Sequence, residues 1–152
     1  MQATFEKLNL GKNDRIVVLN APASFEPELA SLNAVTVTRK LSGLDDIPFA
    51  LAFVTKQQEV DTLAKAIASK AKGDAIVWFA YPKGTSKKYK SEIDRDHGWQ
   101  ALGTAGFEPV RSVAIDEDWS ACRFRRIEFI KNMIRKPEHL LTRGGSTRMG
   151  KK

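Results

Sequence analysis

The chain has 152 residues, of which 42% are hydrophobic and 28% charged, and its formal net charge is +7. This size suits one domain with a single core, and no apolar run approaches the roughly 20 residues that a membrane-spanning helix needs. The opening residues lack the apolar segment of a secretory signal peptide, so the sequence favours a cytoplasmic protein over a secreted or membrane-embedded one.

The first half of the chain alternates between strand and helix patterns. Short β-branched or apolar runs between polar or proline-containing turns are typical of buried strands. Ser24 is placed to cap a short helix. The predicted elements are, in order, a strand at 15–20, a helix at 25–32, a strand at 34–39 and a strand at 49–55.

A longer helix follows the third predicted strand. Thr55 and Gln58 form a capping-box pair, and apolar residues recur after them at helical spacing. Gly73 then suits the C-terminal end of this helix.

The second half of the chain supplies three more strands and one more helix. The run at 74–81 is apolar on successive positions, which predicts a central strand, and Ser91 is placed to cap a helix over 92–104. Two further strands are predicted at 108–116 and 120–130. The join between them is too short for a crossover helix, so these two strands should pair antiparallel.

The C-terminal tail, residues 131–152, carries most of the positive charge. It holds seven Lys and Arg against one Glu, so +6 of the net +7 belongs to it and residues 1–130 are nearly neutral. We expect one folded domain over 1–130 and a flexible basic tail. Flexible basic segments attract phosphate backbones without reading sequence, although a solubilising role or binding of acidic partners or lipid is also open. The tail's nucleic-acid candidates are Arg135, Lys136, Arg143 and Arg148.

The order of these elements predicts an α/β fold. Strands that alternate with helices build a doubly wound, mostly parallel sheet, and here the sheet ends in an antiparallel strand pair. This pattern resembles a compact class I methyltransferase fold with about six strands and three helices. Two motifs are also similar to those of a small bacterial domain family of unknown function, W-x-x-YPK at Trp78–Lys83 and A-x-D-x-x-W-S at Ala114–Ser120. The resemblance covers roughly residues 10–130 and implies a fold, with no established activity.

The methyltransferase cofactor signature is missing from the sequence. A nucleotide-binding turn after the first strand needs glycine, because a Cβ blocks close approach of the backbone to the ligand. Here the turn is "NAPASFE", which contains Pro22 and no glycine and is followed by Pro27, and the acid expected after the second strand is replaced by the run 38–40, Thr-Arg-Lys. We therefore expect no cofactor, with an atypical S-adenosylmethionine-dependent methyltransferase as an alternative.

Ligands of doubly wound sheets bind beyond the carboxyl ends of the strands. The lysines and hydroxyls of the loop at 83–88, with a helix N-terminus near Ser91, suit a small anion, although the order of residues there departs from a nucleotide phosphate loop. A solvated loop, or a protein partner along this rim, is the alternative. The candidate ligand-binding residues are Asn20, Pro22, Thr55, Tyr81, Lys83, Thr85, Ser86 and Lys87.

The remaining chemically notable residues favour structural roles. Cys122 is the single cysteine, lies in a predicted strand and is expected to be a buried thiol. His97 is expected to be a partly buried structural histidine on the helix at 92–104. The acids at 116–118 are expected to form a turn anchored by Trp119 rather than a metal site, because three adjacent carboxylates do not converge on one point. We assign no catalytic residue and no metal ligand.

Overall fold

The computed structural model describes residues 3–130, and the tail lies outside the described residues. Short 3-10 turns occupy Ala23–Phe25 and Ile127–Phe129. The helices are α1 (Ala3–Lys7), α2 (Glu26–Ala30), α3 (Gln57–Lys70) and α4 (Gln100–Thr104). The strands are β1 (Arg15–Leu19), β2 (Thr36–Thr38), β3 (Phe49–Phe53), β4 (Ile76–Pro82), β5 (Phe107–Ala114) and β6 (Trp119–Arg126).

The six strands form one mixed sheet in the order β2-β1-β3-β4-β6-β5. Strands β1 to β4 pair in parallel, and β6 lies antiparallel between β4 and β5. The predicted α/β class, the mostly parallel sheet and the closing antiparallel pair are confirmed. Because β2 and β3 lie on opposite sides of β1, the direction of sheet building reverses there, and this creates a topological switch point between β1 and β3.

Helices cover both faces of the sheet, which explains why its central strands are apolar on both sides. On one face, Val60 and Ile67 of α3 pack with Leu102 of α4. On the other face, Phe5 of α1 packs beside Phe25 of the first 3-10 turn. Every residue of β3 is buried between these two layers.

Helix α1 was not predicted, because a five-residue helix with little periodic pattern gives a weak signal. Tertiary contacts hold it in place. Phe5 and Leu8 are buried, and the indole nitrogen of Trp78 donates a 2.7 Å hydrogen bond to the carbonyl oxygen of Leu8. The N-terminal segment is therefore part of the core.

The helix predicted over 92–104 is wrong for most of its length, since only α4 is helical. Polar side chains before α4 bind nearby backbone groups and hold turns instead. Ser91 Oγ donates a hydrogen bond to the carbonyl oxygen of Ile93 and accepts one from the amide of the same residue. Asp94 Oδ1 accepts hydrogen bonds from the amides of Asp96 and His97. The helix N-terminus expected near Ser91 is thus replaced by turns.

His97 is not the partly buried residue that was expected. Its side chain is 80% exposed, and its Nδ1 lies 2.9 Å from Asp94 Oδ1 in this turn. Hydrogen bonds from the Asp96 amide and from His97 lower the pKa of the Asp94 carboxyl.

The expected burial of Cys122 and the expected turn at residues 116–118 are confirmed. Cys122 and the three tryptophans are buried. Asp116 Oδ1 accepts hydrogen bonds from the amides of Asp118 and Trp119, both at 2.8 Å, so the acidic run forms the expected turn. Within residues 3–130, no group of three or more His, Cys, Asp or Glu is arranged to hold a metal ion. Among the described helices, none has the length and apolar character needed to cross a bilayer.

Candidate functional site

The switch point between β1 and β3 contains a small crevice. Asn20 follows β1 with a left-handed backbone at φ 59°, a conformation that Asn tolerates better than most residues. Its side-chain nitrogen Nδ2 donates a 3.3 Å hydrogen bond to the carbonyl oxygen of Phe53, which links the ends of the two strands. The crevice has a volume of about 300 Å³ and is lined by Asn20, Lys56, Gln58, Glu59, Thr62 and Leu63.

The N-terminus of α3 beside this crevice is capped by the protein's own carboxylates. Glu59 Oε1 accepts hydrogen bonds from the amides of Thr55 at 2.8 Å and Lys56 at 3.1 Å. Glu92 Oε1 accepts one from the amide of Gln57 at 2.9 Å. Free amides at a helix N-terminus are a common anion site. Here these three amides already bind anionic side chains.

This arrangement corrects the predicted cap of α3. The helix begins at Gln57, and the reciprocal carboxylate is Glu59 rather than Gln58. The hydroxyl of Thr55 lies 3.3 Å from Glu59 Oε1 and donates to it instead of capping the helix. Glu59 stands at the third helical position, where a capping-box carboxylate is typical, but Lys56 is not a usual N-cap residue, so the local signal for this cap is weak. Glu92 is 35 residues from its partner, so no local pattern indicates it.

The rim at β2 also departs from a ribose-binding site. Arg39, which stands where a methyltransferase has an acid, forms two hydrogen bonds of 2.7 and 2.8 Å with the carboxylate of Glu26. The hydrogen bonds from Arg39 lower the pKa of the Glu26 carboxyl. An ion pair between Arg39 and Glu26 of α2 therefore follows β2, where the sequence has no acid at residues 38–40.

The two motifs that carry the family resemblance form one structural unit. Tyr81 and Pro82 of β4 lie opposite Ser120 and Trp119 of β6 in the antiparallel pair. The amide of Lys83 then donates a 2.8 Å hydrogen bond to the carbonyl oxygen of Asp118. Both motifs therefore contribute to strand pairing at the same end of the sheet.

The lysine loop, residues 83–88, is anchored to the β5–β6 turn. Ser86 Oγ donates a 2.9 Å hydrogen bond to Asp118 Oδ1 and accepts one of 3.1 Å from the amide of Tyr89. The ring of Tyr89 packs against Trp119 with centroids 4.9 Å apart. Within this fixed backbone, Thr85 and Lys87 are exposed and Lys83 is half-buried.

The predicted site residues therefore separate into distinct places. Asn20 lines the crevice, whereas Lys83, Thr85, Ser86 and Lys87 belong to the lysine loop. Tyr81 is 5% exposed, and its ring makes an edge contact with Trp99 at 5.6 Å between centroids, so it lies in the core. Pro22 is half-buried at the start of the first 3-10 turn, and Thr55 is bound to Glu59. Arg135, Lys136, Arg143 and Arg148 lie outside the described residues.

No protein-family model and no curated protein sequence matches the chain. Its fold is nevertheless similar to solved methyltransferase structures. A SAM-dependent methyltransferase from Aquifex aeolicus aligns with a TM-score of 0.59 at 13% identity, over 81% of this chain and 87% of that one. The N-methyltransferase NodS from Bradyrhizobium japonicum WM9 aligns with a TM-score of 0.51 at 12% identity, over 82% and 93%.

A third similar structure is fibrillarin, a pre-rRNA processing protein from Methanococcus jannaschii. It aligns with a TM-score of 0.50 at 11% identity, over 77% of this chain and 68% of that one. Identities this low establish a shared fold and leave activity to be argued from the site. The chain has a methyltransferase-like α/β fold.

Proposed function

We propose that this chain is a methyltransferase-fold binding protein that holds a small anionic ligand at the lysine loop and does not use S-adenosylmethionine. We further propose that it belongs to the small bacterial family whose W-x-x-YPK and A-x-D-x-x-W-S motifs it shares. A protein partner on the same rim is the other occupant that the sequence leaves open. The capping of α3 by Glu59 and Glu92 is the observation that carries the proposal.

This observation argues against a nucleotide-type cofactor at the switch point. The amides of Thr55, Lys56 and Gln57 donate hydrogen bonds to the protein's own carboxylates. An anionic ligand at the start of α3 would therefore first have to displace Glu59 and Glu92. Negative charge at this position also repels the carboxylate end of an amino-acid cofactor. The glycine-free turn at Asn20 and the Arg39–Glu26 pair weaken two further cofactor contacts.

Two lysines of the lysine loop form no ion pair with other described residues of the protein. Ser86 and Tyr89 fix its backbone, so the ammonium groups of Lys83 and Lys87 extend from an ordered loop. Neither lysine forms an ion pair within the part of the chain described by the structure. Two cations on a pre-organised loop are suited to a small phosphate or carboxylate ligand.

Thermal-shift measurements test this proposal on the full chain. Phosphate, pyrophosphate and citrate are added separately, and S-adenosylmethionine is added in parallel. An anion at ten times its Kd stabilises the folded chain by about 1.4 kcal/mol, which raises the Tm by about 3–5 °C for a protein of this size. The double variant Lys83→Gln/Lys87→Gln should lose this shift. The matched control Lys65→Gln, on the exposed surface of α3, should retain it.

Two results would overturn the anion proposal. If none of the three anions changes the Tm, the protein does not bind a small anion of this kind. If the Lys83→Gln/Lys87→Gln variant shows the same shift as the wild type, the anion does not bind at the lysine loop. Stabilisation by S-adenosylmethionine would instead support the second candidate, an atypical methyltransferase. That candidate is favoured by the similarity of the fold to two named methyltransferases.

Nucleic-acid binding by the basic tail is a third candidate, supported by the +6 charge of residues 131–152. Replacing Arg135, Lys136, Arg143 and Arg148 by Gln in the full chain should remove salt-sensitive retention on immobilised RNA or DNA. Unchanged retention would contradict this role for the tail.

A further inference from the structure

We propose that the outer surface of the β5–β6 strand pair binds the phosphodiester backbone of nucleic acid through Arg111 and Arg123. We call the surface formed by Arg111, Arg123 and Arg125 the arginine face. It lies on β5 and β6, within the described residues.

The strand register brings these side chains together. Successive residues of a strand point to opposite faces, so Arg123 and Arg125 share the face of β6 that carries Trp119 and Ala121. Arg111 of β5 lies directly opposite Arg123 in the antiparallel pair. An extra residue at Val110, next to a register shift, sets this alignment. Three guanidinium groups therefore occupy one side of two neighbouring strands.

The arrangement balances only part of its positive charge. Like charges directly opposite one another in a strand pair are destabilising. Burial lowers the pKa of Arg123, and the charges of Arg125 and Arg111 lower it further. Two acids lie beside these arginines: both oxygens of Asp74 bind Arg125, at 2.8 and 2.6 Å, and Glu108 lies directly opposite Arg125 in the strand pair. Among residues 3–130, no carboxylate forms an ion pair with Arg111 or Arg123.

The two uncompensated arginines are positioned differently. The guanidinium of Arg123 is half-buried and donates a 3.2 Å hydrogen bond to Asn9 Oδ1. Its Nε is buried and has no hydrogen-bond partner among the described residues. Arg111 is exposed. A phosphate bound between them would relieve their repulsion and accept hydrogen bonds from two guanidinium groups, a geometry that arginine provides better than lysine.

The shape of the surface favours a polymer over a small ligand. Positive charge continues along β5, because Lys7 donates a 3.1 Å hydrogen bond to the carbonyl oxygen of Ala114 near its end. A row of cations along two strands matches a repeating phosphate backbone and reads no base sequence. RNA and DNA share this chemistry.

Fluorescence anisotropy with the full chain tests the proposal. The probes are labelled 20-nucleotide RNA and DNA of the same sequence, each titrated at several salt concentrations. Removing two phosphate contacts by Arg111→Gln/Arg123→Gln should weaken binding about tenfold near 0.1 M salt. It should also lower the slope of log K against log salt by about 1.4 for single strands. The single variant Arg111→Gln changes an exposed side chain and should weaken binding about threefold even if the double variant folds poorly.

The matched control is Lys65→Gln, which removes one positive charge from α3 on the opposite face of the sheet and should bind within about twofold of the wild type. A second comparison is the tail variant in which Arg135, Lys136, Arg143 and Arg148 are replaced by Gln. Wild-type affinity in both arginine-face variants, with loss in the tail variant, would overturn the proposal. Failure of the wild type to bind either oligonucleotide would also overturn it, whether or not phosphate or anionic phosphatidylserine vesicles bind.

Discussion

Single residues determine the backbone conformation of the segments around the rim. Glu59 binds two backbone amides at the start of α3, and Gly98 adopts φ 104° in the turns before α4. Gly98 directly precedes Trp99, whose ring packs against Tyr81. One carboxylate and one glycine therefore set the backbone at two separate points of the rim.

Replacing Glu59 by Ala should lower the free energy of unfolding by about 1 kcal/mol, the usual effect of losing a helix N-terminal cap. Urea denaturation measures this change. Lys65→Ala, on an exposed turn of the same helix, is the control and should change stability by less than about 0.5 kcal/mol. Equal effects of the two substitutions would show that Glu59 does not cap α3.

Gly98→Ala should destabilise the protein by about 2 kcal/mol or more, because it combines backbone strain with a steric clash. A Cβ at Gly98 would lie 2.9 Å from Ile93 Cβ and closer still to Ile93 Cγ2. Gly84→Ala in the lysine loop is the control, since a Cβ there has no heavy atom within 4 Å. Thermal denaturation of both variants checks the prediction, and a stable Gly98→Ala protein would contradict the described turn.

At the scale of elements, contacts between distant segments connect β6 to the rest of the fold. Asp74, which precedes β4, forms an ion pair with Arg125 of β6, and Asn9 after α1 contacts Arg123 of the same strand. Arg126 also donates hydrogen bonds to the carbonyl oxygens of Ala68 and Ala71 at the end of α3. Strand β6 therefore joins helices from both faces of the sheet.

The Asp74–Arg125 pair predicts a pH dependence. Hydrogen bonding to Arg125 lowers the pKa of Asp74 below its ordinary value of 3.8, so the pair stabilises the folded state above that pH. This stabilisation is lost as the pH falls through the lowered pKa of the native carboxyl. Asp74→Asn should therefore be less stable than the wild type at pH 7, by about 0.5–1 kcal/mol, and the difference should vanish at strongly acidic pH.

Urea denaturation at a series of pH values measures this difference. Asp45→Asn, at an exposed carboxylate with no ion pair among the described residues, serves as the control. A gap between Asp74→Asn and the wild type that persists unchanged into strong acid would show that the pair contributes no electrostatic stabilisation.

At the scale of the whole molecule, one sheet and its two helical layers form a continuous core. The buried residues on both faces run from Phe5 to Ile130. A chain truncated after residue 130 should therefore unfold in one cooperative transition with a Tm within about 3 °C of the full chain. Calorimetry of the two chains tests this, and a broad or absent transition in the shorter one would place essential contacts in the tail.

The sequence by itself determined the order and type of most elements. The apolar runs of β1, β3 and β4 and the helical spacing in α3 are local patterns, and each reflects burial on one or both faces of an element. The short join before β6 required an antiparallel pair, and the missing glycines after β1 were visible without a structure. Sequence reasoning failed over 92–99, where Ser91 and Asp94 bind backbone groups in turns.

Only the tertiary structure decided how the residues of the rim and of the strand surfaces are arranged. The contact of Glu92 with Gln57 and that of Ser86 with Asp118 join residues more than 30 positions apart. The alignment of Arg111 with Arg123 depends on strand register and on the extra residue between Pro109 and Arg111. Such contacts depend on the packing of whole elements, so patterns within a few residues of the sequence do not encode them.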